Sequence, residues 1–324
     1  MRALLCKRHG PPETLVVEDI AADMPGPGEI RVEIKATALN FFDTLIIENK
    51  YQYKPDLPFS PGAEVAGIVE AVGEGVDRFA VGDRVVGYLG YGGCRELVVG
   101  PVGKFTKIPD GLDYAQAACL TVTYGTTLHG LQDRGQLRPG ETLVVLGAAG
   151  GVGQAALELG KIMGAHLIAC ASSDEKLEFC RSLGADEVIN YQTEDLRARL
   201  KELTGGKGAD VIYDPVGGAY CEPALRAIAW EGRYLVIGFA AGEIPRPPLN
   251  LVLLKGCEIV GVFWGSYIER SPARLHAQLE QLMSWCAEGK LVPHIHDTYT
   301  LDETVEALHA IANREVKGKA IIVP

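Results

Sequence analysis

Glu141–Gly164 reads ETLVVLGAAGGVGQAALELGKIMG, and the order of residue types along it decides the fold. Thr142–Leu146 is a short apolar, partly β-branched run, too short for a helix of its own, and reads as a buried strand. The turn Gly147-Ala148-Ala149-Gly150-Gly151-Val152-Gly153 follows. Ala155, Ala156, Leu159 and Met163 then recur at helical spacing, and Gly164 can end the helix. Strand, Gly-rich turn and helix in this order are the setting of a dinucleotide fingerprint. Small residues let the backbone approach a pyrophosphate, and the helix N-terminus offers unbonded N–H groups and a positive dipole end. The usual G-x-G-x-x-G reads here as Ala148, Gly150, Gly153, so an ordinary tight turn of an α/β protein is the competing reading.

Beyond this unit, strand and helix signals alternate. His166–Ala171 is a second strand, and Ser172-Ser173-Asp174-Glu175 has the form of a capping box opening a helix that ends near Gly184. Strands at Glu187–Asn190, Ala209–Tyr213, Tyr234–Gly238 and Cys257–Val262 are separated by helices at Leu196–Leu203 and Pro223–Trp230. Six strands in this alternation predict a doubly wound parallel sheet. Sites for the unphosphorylated coenzyme place an acid about 20 residues past the glycines, against the ribose 2′-OH. Here that place holds Cys170, Ala171, Ser172 and Ser173, with Lys176 a helical turn on. Small hydroxyls leave room for a 2′-phosphate and an ammonium can pair with it, so NADPH is expected over NADH. Asp174 and Glu175 weaken this unless they face away toward the helix N-terminus, and Lys176 as a merely solvated helix residue is the alternative.

In the other direction the chain is β-rich. Ile30, Val32 and Ile34 alternate with Arg31, Glu33 and Lys35, as in a half-buried strand. Glu64–Gly87 holds short apolar runs broken by glycines, which predicts a small barrel-like domain. Residues 271–288 and 303–313 read as helices and Ala320–Val323 as a closing strand. The tail is expected to return to the first domain. The expected domains are residues 1–121 with 266–324, and residues 122–265.

At 324 residues the chain is long enough for two cores. Its net charge of −11 argues against nucleic acid as a main partner. No apolar run reaches the length of a membrane span, and MRALLCKRHG lacks a signal-peptide h-region. The eight cysteines are scattered, with no C-x-x-C, so neither a zinc site nor a disulfide framework is indicated and a reduced, cytoplasmic location is expected. The histidines form no metal-spaced set, and Cys94 reads as a buried or incidental thiol.

Several segments in order resemble one family. They are Asn40-Phe41-Phe42-Asp43, LPFSPGAEVAGIVEAVGEGV at 57–76, VGDRV at 81–85, TVTYGTTLHGL at 121–131, GAAGGVG at 147–153, LGADEVINY at 183–191 and the C-terminal NREVKGKAIIVP. The chain resembles, over essentially its whole length, zinc-free medium-chain dehydrogenases/reductases of the quinone oxidoreductase type. The resemblance implies a GroES-like β-barrel domain and a Rossmann domain, with hydride transfer from NADPH in the cleft between them. It also implies a homodimer through Rossmann edge strands, here Cys257–Val262. Metal-dependent relatives carry a Cys where this chain has Asn40 and a His in a G-H-E where it has Gly62-Ala63-Glu64, so two ligands of a catalytic zinc are missing. Without that Lewis acid, reduction of a quinone or another electrophilic acceptor is the natural reaction.

Residue by residue, the resemblance makes Tyr51 a candidate proton donor, with lining of an apolar pocket by Tyr51 or Tyr53 as the alternative. Asn40 and Asp43 are candidates for positioning nicotinamide ribose or substrate, with a structural cap as the alternative. Gly151 and Val152 would meet the pyrophosphate, and Ala149 and Gly150 beside them would also bind the cofactor. Ser172, Ser173, Lys176, Tyr191 and Arg314 would surround the adenosine phosphate, and Thr127 would lie near the nicotinamide. Val216, Phe239, Ala240, Phe263, Trp264 and Gly265 would line the cofactor from the loops after later strands. Pro215 removes a backbone donor that some relatives have there. Enoyl or acrylyl thioester reduction, and NADPH binding with little turnover, are the two alternatives to quinone reduction.

Overall fold

A computed structural model describes residues 1–324. In chain order the strands are β1 (Arg2–Leu5), β2 (Val16–Asp19), β3 (Glu29–Ala38), β4 (Glu64–Val72), β5 (Arg84–Tyr88), β6 (Leu97–Pro101), β7 (Phe105–Lys107), β8 (Thr142–Leu146), β9 (His166–Ala171), β10 (Glu187–Asn190), β11 (Ala209–Asp214), β12 (Ile228–Val236), β13 (Glu258–Gly261), β14 (Ile295–Thr300) and β15 (Lys319–Val323). The chain forms two compact units, Thr123–Arg270 and Met1–Val122 with Ser271–Pro324.

In the unit Thr123–Arg270, six parallel strands run in the order β10-β9-β8-β11-β12-β13. The order reverses between β8 and β11, which is where open α/β sheets bind ligands, outside the carboxyl ends of the strands. Val144, Leu146, Ile168, Ile189, Ile212, Leu225 and Ile228 form its core beneath helices Leu196–Leu203 and Cys221–Arg226. A fully buried aliphatic side chain of this kind contributes about 1.5–3 kcal/mol. β8 and β9 occupy the spans their apolar runs predict.

Two local expectations are corrected. The helix expected over Pro223–Trp230 stops at Arg226, and Ile228–Trp230 already belongs to β12. Glu231 takes φ +58° and the pairing of β12 with β11 shifts register there, so the glycine and polar residues at this point mark a bend inside one long strand and not the end of a helix. The capping box is also displaced. Ser173, not Ser172, is the N-cap of helix Asp174–Ser182, and its hydroxyl oxygen accepts from the Lys176 N–H.

In the other unit, a seven-stranded sheet runs β14-β15-β3-β4-β5-β7, with β6 on β3, beside the β1–β2 pair. The C-terminal tail supplies β14 and β15, and β15 lies antiparallel to β3 with Ile321 opposite Ala38. The alternation of Ile30, Val32 and Ile34 places them in a core with Val65, Val85 and Phe105. A second core gathers Leu4, Ile46, Ile47, Phe59, Leu308 and Ile322. No helix is long and apolar enough to cross a membrane, and all eight cysteines are free thiols.

Candidate active site

At the end of β8, Gly147 adopts φ +61°, a conformation that favours glycine. Gly150 caps helix Gly151–Ile162 without a side chain. A Cβ on Gly150 would meet nothing nearer than the Gly147 carbonyl oxygen at 3.5 Å, whereas one on Gly153 would stand 2.3 Å from that oxygen. Gly153 therefore lets the helix close onto the strand end, and Gly150 leaves an open cradle at the helix N-terminus, where N–H groups lack intrahelical acceptors. Ala149 is buried beside it, and Gly151 and Val152 form the first turn.

Ser172 and Ser173 follow β9 and are half-buried, as is Lys176. Asp174 turns aside, with its Oδ1 accepting from Asn190 Nδ2 at 2.9 Å. Tyr191 packs on Tyr220 with ring centroids 4.3 Å apart.

The loops after β11 and β12 are joined by backbone hydrogen bonds. Pro215 O accepts from the Ala240 N–H at 3.0 Å and Val216 O from the Ala241 N–H at 2.9 Å. Pro215 thus takes part as an acceptor, so its missing N–H leaves no gap in this pairing. Phe239 is exposed and lines an apolar cavity of about 170 Å³ together with Tyr234, Val236 and Pro245. Thr127 is wholly buried, and its hydroxyl bonds the Thr123 carbonyl at 2.7 Å and the Tyr213 hydroxyl at 2.8 Å. Trp264 is buried with its indole packed over Gly125, where a Cβ would come within 3.0 Å. Gly265 follows it in helix Trp264–Arg270, and Phe263 is exposed.

The other unit holds Asn40, Asp43, Tyr51 and Arg314. Asn40 and Asp43 bracket the start of helix Phe41–Ile47, and the Asp43 carboxylate accepts from the Asn40 N–H at 2.7 Å and from the Gly62 N–H at 3.0 Å. Complete burial outweighs these donors and pushes the Asp43 carboxyl up to about 7. The Asn40 amide faces elsewhere. Its Oδ1 accepts from Lys319 Nζ at 2.7 Å and its Nδ2 donates to Glu64 Oε1 at 2.9 Å. Lys319 also donates to Glu64 Oε1 at 2.7 Å, while Glu64 Oε2 accepts from the Thr121 hydroxyl and from the Val122 N–H at 2.7 Å. Glu64 is fully buried and Lys319 nearly so. Tyr51 stacks on Phe42 with centroids 5.1 Å apart and lies 6.0 Å from Tyr53. Burial, with the Asp43 charge second, raises its phenol. Cys94 is buried, and its thiol is raised by that burial. Arg314 is exposed, at φ +61° beyond helix Thr304–Ala312.

Comparisons with known proteins agree with this architecture. Residues 26–110 match the family described as "Alcohol dehydrogenase GroES-like domain" and residues 151–288 that described as "Zinc-binding dehydrogenase". The "Quinone oxidoreductase-like protein 2 homolog" of Nematostella vectensis is 40% identical over 325 residues, which cover 99% of this chain and 88% of that protein. The crystal structure of Escherichia coli quinone oxidoreductase complexed with NADPH superposes with a TM-score of 0.93 at 31% identity, covering 100% of both chains. That of CurK enoyl reductase gives 0.90 at 26% identity, covering 99% of this chain and 98% of the other. The chain belongs to the zinc-independent quinone oxidoreductase family of medium-chain dehydrogenases/reductases. It has that family's GroES-like domain and Rossmann sheet, and it is an oxidoreductase.

One of the matched family descriptions names zinc, and the residues of this quinone oxidoreductase family member do not suit it. No group of three or more His, Cys, Asp and Glu side chains is assembled to hold a metal ion. Beside Asn40 and Glu64 stands an ammonium, Lys319, whose charge already answers the carboxylate. A dinucleotide does suit the glycine turn, where a Cβ on Gly150 would fill the cradle. Sequence reasoning passed over Lys319, which joins Asn40 and Glu64, and the buried Asp214. The available signals were a lysine heading the apolar run Ala320–Val323 and an aspartate closing β11 before a proline.

Proposed function

We propose that this chain is an NADPH-dependent reductase that delivers hydride to a quinone or another activated conjugated carbonyl without a metal. The observation that carries the reading is the pairing of the glycine cradle with the end of β9. Asp174 there is tied to Asn190, and the half-buried Ser172, Ser173 and Lys176 bring two hydroxyls and an ammonium to the end of β9, chemistry that suits a phosphate. When bound, the reduced nicotinamide supplies the hydride. The backbone N–H groups of Gly151 and Val152 hold the diphosphate, aided by the helix dipole. Ser172, Ser173, Lys176 and Tyr191 would take the adenosine phosphate, and Val216, Phe239, Ala240, Phe263 and Gly265 would shape the rest of the cofactor surface, while Thr127 and Trp264 are buried and would act only from behind it. Asn40 and Asp43 hold the segment that leads to Tyr51.

A second reading, reduction of an activated alkene, is favoured by the Phe42–Tyr51 stack. The stack orients a phenol that burial keeps protonated, so it is a donor and not a base. Quinone reduction needs no such donor, because water can protonate the reduced product.

The test is NADPH and NADH oxidation with 1,2- and 1,4-quinones, an enone and an enoyl thioester. NADPH should be preferred by at least about tenfold in kcat/KM, the discrimination of one phosphate contact. Preference for NADH, or tight NADPH binding without turnover on any acceptor, would sink the proposal. Tyr51→Phe separates the two acceptor classes, since only alkene reduction should lose about 10²-fold or more.

We propose that the chain pairs as a homodimer, a reading that its exposed apolar residues support. Trp230, Leu253, Leu254, Ile259 and Phe263 are exposed along the β13 edge of the sheet and the helix Asn250–Lys255 beside it. An apolar, unpaired edge calls for a covering surface, and a second copy supplies one. Light scattering should give twice the chain mass, and a monomer that persists at micromolar concentration would refute the dimer.

A further inference from the structure

Asp214 ends β11, is 3% exposed, and points into its own unit. Its Oδ1 accepts from the Val216 N–H at 2.7 Å and the Gly217 N–H at 2.8 Å, and its Oδ2 accepts from the Tyr234 hydroxyl at 2.5 Å. Val216 in turn lies against the glycine turn, with its Cγ2 2.8 Å from where a Cβ on Gly147 would stand. A continuous series of contacts thus runs from Tyr234 on β12, through a buried carboxylate, to the backbone of the loop after β11, and from that loop to the first glycine of the turn. The carboxylate fixes both N–H groups from one oxygen, so Pro215–Gly217 has one arrangement. The pairing of Pro215 with Ala240 and of Val216 with Ala241 passes that arrangement to the loop after β12.

We propose that Asp214, locked by Tyr234, is a positioning residue that holds Val216 and Gly217 against the glycine turn and so sets the affinity for the dinucleotide. The proposal rests on the NADPH reading above. It gives Asp214 the work of an acceptor and not of a charge. An amide at this position keeps Oδ1 for the two N–H groups and can donate its own N–H to the Tyr234 oxygen.

The test uses the full chain. NADPH is titrated by tryptophan fluorescence against the natural protein, Tyr234→Phe, Asp214→Ala and Asp214→Asn, with circular dichroism confirming each fold. Amide hydrogen exchange at Val216 and Gly217 is measured without NADPH. Kd should rise about tenfold in Asp214→Ala and about threefold in Tyr234→Phe, and stay within about twofold in Asp214→Asn. The kcat at saturating NADPH should hold within about twofold throughout, a split between binding and turnover that a loss of folded protein would not produce. Exchange at Val216 and Gly217 should quicken in Asp214→Ala.

Unchanged Kd in folded Asp214→Ala and Tyr234→Phe overturns the proposal, as does unchanged exchange at the two amides. A tenfold loss in Asp214→Asn also overturns it, because charge would then be the property that matters. Should Asp214→Ala fail to fold, Tyr234→Phe decides. A natural protein that binds no NADPH refutes the cofactor reading instead, and the exchange measurement alone then decides whether Asp214 holds the loop.

Discussion

The glycine turn at 147–153 and the buried polar cluster around Glu64 use opposite means. The turn works through the absence of side chains, and Gly150 and Gly153 stand against backbone atoms of the same seven consecutive residues. The cluster works through side chains, and Asn40, Glu64, Thr121 and Lys319 come from four distant parts of the chain. A site made of missing atoms tolerates little addition. A site made of buried charges tolerates little removal, because each partner exists to answer the desolvation of another.

The largest expected effect follows from removal. Lys319→Met leaves Glu64 buried beside Asn40 without its cation, at a cost of about 3–5 kcal/mol. Chemical denaturation should show it, and Glu64→Gln added to Lys319→Met should recover part of the loss. A single variant within 1 kcal/mol of the natural protein would break the contrast between the two regions, by the measure of an exposed pair.

Asp43 comes next. Its carboxyl is raised to about 7 in the folded chain from about 3.9 unfolded. Between these values the unfolded chain has released the proton that the folded chain keeps. This contribution to stability is therefore complete below about pH 4 and is lost as pH rises through 7, with an upper bound of about 4 kcal/mol. Asp43→Asn should flatten the pH dependence of the urea midpoint between pH 4.5 and 8 relative to the natural protein, although one of its two N–H donors then loses its acceptor. Parallel slopes for the two proteins would show that Asp43 ionises normally.

Addition is tested by Gly153→Ala. The new methyl would stand 2.3 Å from the Gly147 oxygen and 2.7 Å from Ala148, so the helix must back away from the turn. Overpacking of this kind costs about 1–3 kcal/mol, and NADPH affinity should fall by at least about tenfold. Retained affinity would mean that the cradle does not hold the diphosphate. The smallest effect is that of Lys176→Ala, which should lower the NADPH-to-NADH ratio of kcat/KM by about tenfold, near 1.4 kcal/mol, and leave NADH turnover unchanged. Equal losses with both coenzymes would make Lys176 a general helix residue.

What could be read without coordinates was local. Thr142–Leu146 and His166–Ala171 announce their strands because a buried parallel strand is an apolar run, and the glycine turn announces itself because steric exclusion acts between neighbours in sequence. Ile228–Trp230 misled because a bulged strand at Glu231–Gly232 carries the composition of a helix end.

Within this chain, then, sequence alone determined the Rossmann unit, its glycine turn and the small-residue end of β9, since each depends on contacts a few residues apart. The tertiary structure alone decided that Lys319 reaches Asn40 and Glu64, that Asp174 turns to Asn190, and that Tyr234 and Asp214 together hold Val216 over Gly147. Those pairings join strands and helices whose separation along the chain carries no signal of their distance in space. What selects them is the cost of leaving a charge or an N–H buried without a partner, which exists only once the chain has closed around it.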